Sequence, residues 1–179
     1  MSAESPCMSV VRLPLAELNK MDQSSFVSHV GWVYENSPWV AESAWRHRPF
    51  VTVENLHAMM DRVVRSATAE KQLALIQAHP DLAVRFGQLG QLTDASRREQ
   101  VDAGLNQLTP AQAGEMALNS AFYRDKFGFP FIVCARLNDF EMIREALSNR
   151  LDNHREKEIA IALEEISKIG RLRLADAIL

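Results

Sequence analysis

Of the five histidines in this chain of 179 residues, His79 is the one placed to move a proton. It falls at the C-terminal end of a predicted helix, where the helix dipole favours a cation by roughly 0.3 to 1 kcal/mol. Pro80 follows it, which holds its backbone extended and projects the ring off the helix end. A histidine held partly protonated and rigidly aimed suits a general acid, although the same position suits a plain C-terminal capping histidine. Ser96 and Glu99 form a similar pair. Their spacing is a capping box, and the helix start it marks is also a ready anion site.

Arg173 is a third candidate. At about 100° per residue from Ile159, the apolar residues Ala162, Leu163, Ile166 and Ile169 span roughly -80° to 40°, and Arg173 falls near -40°. Arg171 falls near 120° and faces away. A guanidinium on a core-facing stripe needs an anion, so it belongs to a buried ion pair or to a ligand site, unless fraying or rotation near the chain end lets it reach solvent. The fourth is the run Lys126-Phe127-Gly128-Phe129-Pro130-Phe131-Ile132. It could be simple core filler with a turn. Three phenylalanines around a Gly and a Pro, however, put irregular backbone into an apolar wall, where its polar groups need partners that a ring-bearing ligand with amide groups would supply.

Other chemistries lack their residues. There is no His-Glu-x-x-His, Cys-x-x-Cys or EF-hand loop, no Gly-rich phosphate loop and no Gly-x-Ser-x-Gly. His154 and Glu158, four apart on a helix, read as a solvated face before they read as a metal pair. Cys7 and Cys134 cannot build a disulfide framework. Twenty Lys+Arg against 23 Asp+Glu give a charge of -3, without the basic excess a nucleic-acid binder uses. No apolar run is long enough to span a bilayer. No signal peptide is visible and the chain does not end in Ser-Lys-Leu, so a cytoplasmic location is expected.

The elements that must hold these residues are helical. Asp22 caps a helix through Phe26, Val30 and Val33 that ends near residues 36–38, and a short helix carries Trp39 and Trp45. Thr52 opens a helix with the stripe Leu56, Met59, Met60, Val63 and Val64. Thr68 caps the next, with Leu73 and Ile76 inward, stopping at His79. Residues 86–93 read as a loop. Ser96 opens a helix through Val101, Leu105 and Leu108. Thr109-Pro110-Ala111-Gln112 is a capping box with Pro at the first helical position, and its helix stops at Gly128. Asn138 caps a helix with Phe140, Ile143 and Leu147 inside, and Asn153 begins the last, to about Ile178. Seven to nine helices and no strand ladder predict an all-α fold, a domain over residues 12–179 behind an N-terminal extension of residues 1–11.

Three blocks together carry a resemblance. His79-Pro80-Asp81-Leu82-Ala83, then Ser96-x-x-Glu99-Gln100-x-x-Ala103-Gly104-Leu105, then Tyr123-x-x-Lys126-Phe127-Gly128-Phe129-Pro130-Phe131-Ile132 resemble the 2-oxo-4-hydroxy-4-carboxy-5-ureidoimidazoline (OHCU) decarboxylases. Phe26, Tyr34-Glu35-Asn36-Ser37-Pro38-Trp39, Arg48-Pro49-Phe50 and Arg171-Leu172-Arg173-Leu174 fit the same family. Val84 departs from it, standing where many relatives have glycine, and an architecture without an appended hydroxyisourate hydrolase domain is expected.

The resemblance implies an all-α enzyme, usually a homodimer, that uses no metal or organic cofactor and removes CO2 from OHCU to give (S)-allantoin in urate catabolism. It implies His79 as the catalytic acid, with Glu99 holding the substrate or orienting His79. Pro80, Ser96, Glu99, Gln100 and the backbone of Phe131, Ile132, Val133 and Ala135 would line the substrate. The family's C-terminal active-site arginine is placed at Arg173, with Arg136 as the competing position. A helical interaction module on the same scaffold, or an enzyme for another ureido heterocycle, are the alternatives.

Overall fold

Local capping chemistry lays out most of the chain. The computed structural model describes residues 12–81 and 108–179, and among them are eight α-helices, two 3-10 turns and no strand. The first is α1 (Leu15–Lys20), followed by α2 (Gln23–Val30), where Asp22 accepts from the Ser25 amide at 2.8 Å. The α-helix ends earlier than residues 36–38: a 3-10 turn, Gly31–Val33, takes over at Gly31 and carries the chain to Tyr34. Then come α3 (Trp39–Trp45), α4 (Val53–Arg65) capped by Thr52, and α5 (Ala69–Ala78) capped by Thr68.

After the undescribed stretch, α6 (Pro110–Phe127) starts on the expected box. Thr109 accepts from the Gln112 amide, and the Gln112 side chain accepts from the Thr109 amide. It stops at Gly128, whose φ of 79° is the left-handed geometry that glycine reaches without strain. A 3-10 turn, Ala135–Leu137, leads to α7 (Phe140–Arg150), and α8 (Arg155–Ala177) closes the chain. Two caps differ from expectation. Asp139, not Asn138, caps α7 by accepting from the Met142 amide at 2.9 Å, since Asn138 is drawn away to the Cys134 carbonyl. Asn153 does not cap α8 either, because its side chain binds Glu158 and Lys157.

α8 is the central element, packing on α2, α4 and α5. Its buried stripe, Ala162, Leu163, Ile166, Ile169 and Leu174, joins one core with Phe26, Leu56, Met60, Leu75, Ile76 and the aromatic block. The two ends of the described chain are clasped by main-chain bonds: Leu13 N donates to Ala177 O, and Leu179 N to Leu13 O at 2.9 Å. The Arg48-Pro49-Phe50 motif serves the scaffold. The Arg48 guanidinium lies over the Trp45 ring and donates to the carbonyls of Asn19, Met21 and Trp45. No helix among the described residues is long and apolar enough to cross a membrane.

Candidate active site

His79 sits where the sequence puts it, one residue past the end of α5. Its backbone turns extended (φ -71°, ψ 136°), and its side chain is buried. Nδ1 lies 2.9 Å from the Leu75 carbonyl oxygen. A carbonyl only accepts, so Nδ1 carries the proton and donates. That bond fixes the tautomer and leaves the buried Nε2 as the nitrogen that can exchange a proton with a substrate.

The neighbours of His79 in the chain dock this helix end onto α6. Gln77 Nε2 donates to Gly128 O at 3.0 Å, and Asp81 pairs with Arg124 at 2.5 Å. Pro80, between them, is half-buried. The proton-bearing turn is thus tied to the helix that leads into the aromatic block.

In that block, residues 131–134 run without helix or turn through the core. The rings of Tyr123, Phe127, Phe129 and Phe131 form a contiguous cluster, with centroid separations from 4.5 to 6.1 Å. Phe131, Ile132, Val133 and Ala135 are all buried. The backbone finds many of its partners in side chains, not in a ladder. Arg150 Nη1 donates to Ile132 O at 2.7 Å, Glu165 Oε2 accepts from Cys134 N at 2.8 Å, and Asn138 donates to Cys134 O at 2.9 Å.

Arg173 is 2 % exposed on the core-facing side of α8, whereas Arg171 is exposed. The helical-face reading therefore holds, solvent exposure is ruled out, and the ion pair is present: Nη2 lies 3.0 Å from Glu35 Oε1, and Nη1 donates to Val33 O at 3.2 Å. Arg136, the competing arginine, forms a half-exposed fork onto Asp176, latching the 3-10 turn to the end of α8. Glu158 corrects the solvated-face reading. It is wholly buried, paired with Arg150 at 2.8 Å, and it also accepts from the Tyr123 hydroxyl and Asn153. The helical projection that found Arg173 puts Glu158 and Glu165 at roughly -100° and -120°, just past the edge of the apolar stripe. Ser96, Glu99 and Gln100 lie outside the described residues. Among the described residues, no group of three or more His, Cys, Asp or Glu side chains could hold a metal ion.

A buried single-tautomer histidine, a core arginine on a carboxylate and a clamped aromatic segment converge on one comparison: the family model described as OHCU decarboxylase matches residues 19–175. The chain belongs to the OHCU decarboxylase family. The OHCU decarboxylase of Halalkalicoccus jeotgali is 42% identical over 167 residues, covering 93% of each chain. The mouse enzyme of the same name is 38% identical over 168 residues and 92% of each. Solved structures agree. A crystal structure of (S)-allantoin synthase superposes with a TM-score of 0.76 at 28% identity, over 93% of this chain and 54% of that one. An OHCU decarboxylase crystallised in the presence of (S)-allantoin gives 0.64 at 25% identity, over 80% and 92%. This family member has the expected all-α architecture.

Proposed function

We infer that this protein decarboxylates OHCU to (S)-allantoin in urate degradation, a carboxy-lyase reaction. Membership of the family over nearly the whole chain supports the activity. The observation that carries the site is the His79 Nδ1 bond to Leu75 O, which leaves Nε2 as the proton carrier.

The reaction sets a short list of demands. Breaking the bond from the ring carbon to CO2 leaves an electron pair, which forms a ring C=C as the adjacent C=N takes up the displaced pair and a proton. The hydroxyl then becomes a carbonyl by losing its proton, and the neighbouring carbon gains one on a single face. The net change is a carboxylate replaced by hydrogen, with CO2 released. Protonated His79, with Nδ1–H held by Leu75 O, would deliver a proton from Nε2 along one fixed direction. Arg173, oriented by Glu35, would present its planar guanidinium to a polar edge of the substrate. Ser96, Glu99, Gln100 and Pro80 take their roles from the motif, and Arg136 is the competing position for the substrate-facing arginine.

The Val133 peptide groups fit a ureido ring in particular. Every peptide bond near it is trans, so the C=O and N–H bonds of each peptide point in opposite directions. With Ile132 O turned to Arg150, the Val133 N–H points away from it. With Cys134 N turned to Glu165, the Val133 carbonyl points away in turn. One residue thus presents a donor and an acceptor together, which matches the N–H and C=O edge of a cyclic urea. The buried phenylalanines that precede it in the chain would help keep water from that edge.

The homodimeric state, the cytoplasmic location and the division into residues 1–11 and 12–179 belong to the same reading, supported by the family resemblance; sedimentation of the purified protein tests the first. For the activity, OHCU is generated in situ from urate, and its disappearance and CO2 release are followed. Purified protein is expected to accelerate both over the spontaneous rate, and an unchanged rate would sink the reading.

A further inference from the structure

Two buried charged residues that the reaction does not use converge on the same stretch of backbone. Arg150, from the last turn of α7, points its fork two ways: Nε donates to Glu158 at 2.8 Å, and Nη1 donates to Ile132 O at 2.7 Å. Its guanidinium also lies 4.5 Å over the Phe131 ring. Glu165, from α8, divides its carboxylate: Oε2 takes the Cys134 amide at 2.8 Å, and Oε1 takes Lys168 at 2.6 Å. Arg150 and Glu165 thus grip the two peptides that flank Val133, one by its carbonyl and the other by its amide. A buried ion is costly unless its geometry serves something, and apolar residues of similar size would often stabilise as well.

We propose that Arg150 and Glu165 are positioning residues for substrate recognition: they fix the rotation of the peptides on either side of Val133 and so aim its N–H and C=O at the substrate. This rests on the functional reading above. Neither side chain touches the reacting atoms. Their effect passes through residues 132 and 134, and it falls on substrate binding rather than on proton transfer.

Reach and charge can be separated at Glu165. Glu165→Gln keeps the length and an amide oxygen that can accept from Cys134 N, but loses the charge facing Lys168. Glu165→Asp keeps the charge but is one methylene short of Cys134 N. If positioning is the role, Glu165→Asp raises KM for OHCU and Kd for (S)-allantoin by roughly tenfold, the loss of about one well-placed hydrogen bond. Glu165→Gln recovers most of that affinity. Arg150→Lys, which holds the charge facing Glu158 but lacks the two-way fork, raises both constants in the same way and gives an independent reading should Glu165→Asp fail to fold. A merely structural role would lower the binding stoichiometry and kcat per total protein, leaving KM and Kd where they are. That pattern overturns the proposal, as does Asp binding like wild type or Gln impaired as much as Asp. Wild-type protein that neither turns over OHCU nor binds (S)-allantoin would instead sink the functional reading, and this proposal with it.

Discussion

Arg173 on α8 and Glu35, 138 residues earlier in the chain, form an ion pair with 3.0 Å between Nη2 and Oε1, and both side chains are almost sealed from solvent. Removing one partner of a buried pair leaves the other charge without its counter-ion, at a cost of about 3–5 kcal/mol. Glu35→Ala is therefore expected to lower stability by that order in denaturant unfolding. Arg171→Ala, on the exposed face, should change it by less than about 0.5 kcal/mol.

The same pair separates the two candidate arginines in catalysis. With Arg173 as the substrate-facing arginine, Arg173→Lys costs turnover even in protein shown to be folded, because one ammonium cannot reproduce the fork. Arg136→Lys, which can keep its contact with Asp176, should cost less. The reverse order in single-substrate kinetics would move the assignment to Arg136.

Two buried tyrosines set an alkaline limit. Burial pushes both the Tyr34 and Tyr123 phenols above their ordinary value near 10. Above pH 10 the unfolded chain releases these protons while the folded protein holds them, so the unfolded state binds fewer protons and stability falls as pH rises. Each group contributes up to about 1.4 kcal/mol per pH unit, so two give roughly 3. Unfolding free energies measured from pH 9 to 11 should bend downward near 10, and Tyr34→Phe should reduce the bend by about half.

Tyr34→Phe carries a second expectation. The Tyr34 hydroxyl is buried against Gly170 and has no hydrogen-bond partner among the described residues. A buried hydroxyl without a partner costs about 1–3 kcal/mol, so its removal should leave stability at neutral pH unchanged or raised. Calorimetry showing a clear loss would mean that the hydroxyl has a partner, such as a bound water.

Gly128 links the helix stop to the site, since its αL backbone ends α6 and its carbonyl receives Gln77. A Cβ there meets no steric neighbour, so the cost of Gly128→Ala is conformational alone, about 1 kcal/mol. Gly128→Asn should cost less. Equal, negligible losses in chemical unfolding would remove the αL requirement.

How far these features could be read in advance depended on range. Asp22, Thr52, Thr68, Thr109 and Gly128 act on amides or carbonyls a few residues away, so their spacing disclosed the helix ends. Asn138 and Asp139 are adjacent capping types, and the Cys134 carbonyl, four residues back in the irregular segment, decides between them by drawing Asn138 away. Arg173 was found because its own helix reports its face. Its partner Glu35 was not, because nothing in α8 points to a residue 138 positions away. Glu158 looked exposed for the same reason: the groups that bury and neutralise it, Arg150 and Tyr123, come from two other helices.

The most direct measurement of the central claim is the handedness of the product. With OHCU generated in situ and circular dichroism following allantoin, wild-type protein should build an (S)-allantoin signal well above the racemic background. His79→Ala, folded by its far-ultraviolet spectrum, should give none. A wild-type-like signal from His79→Ala would contradict proton delivery from Nε2.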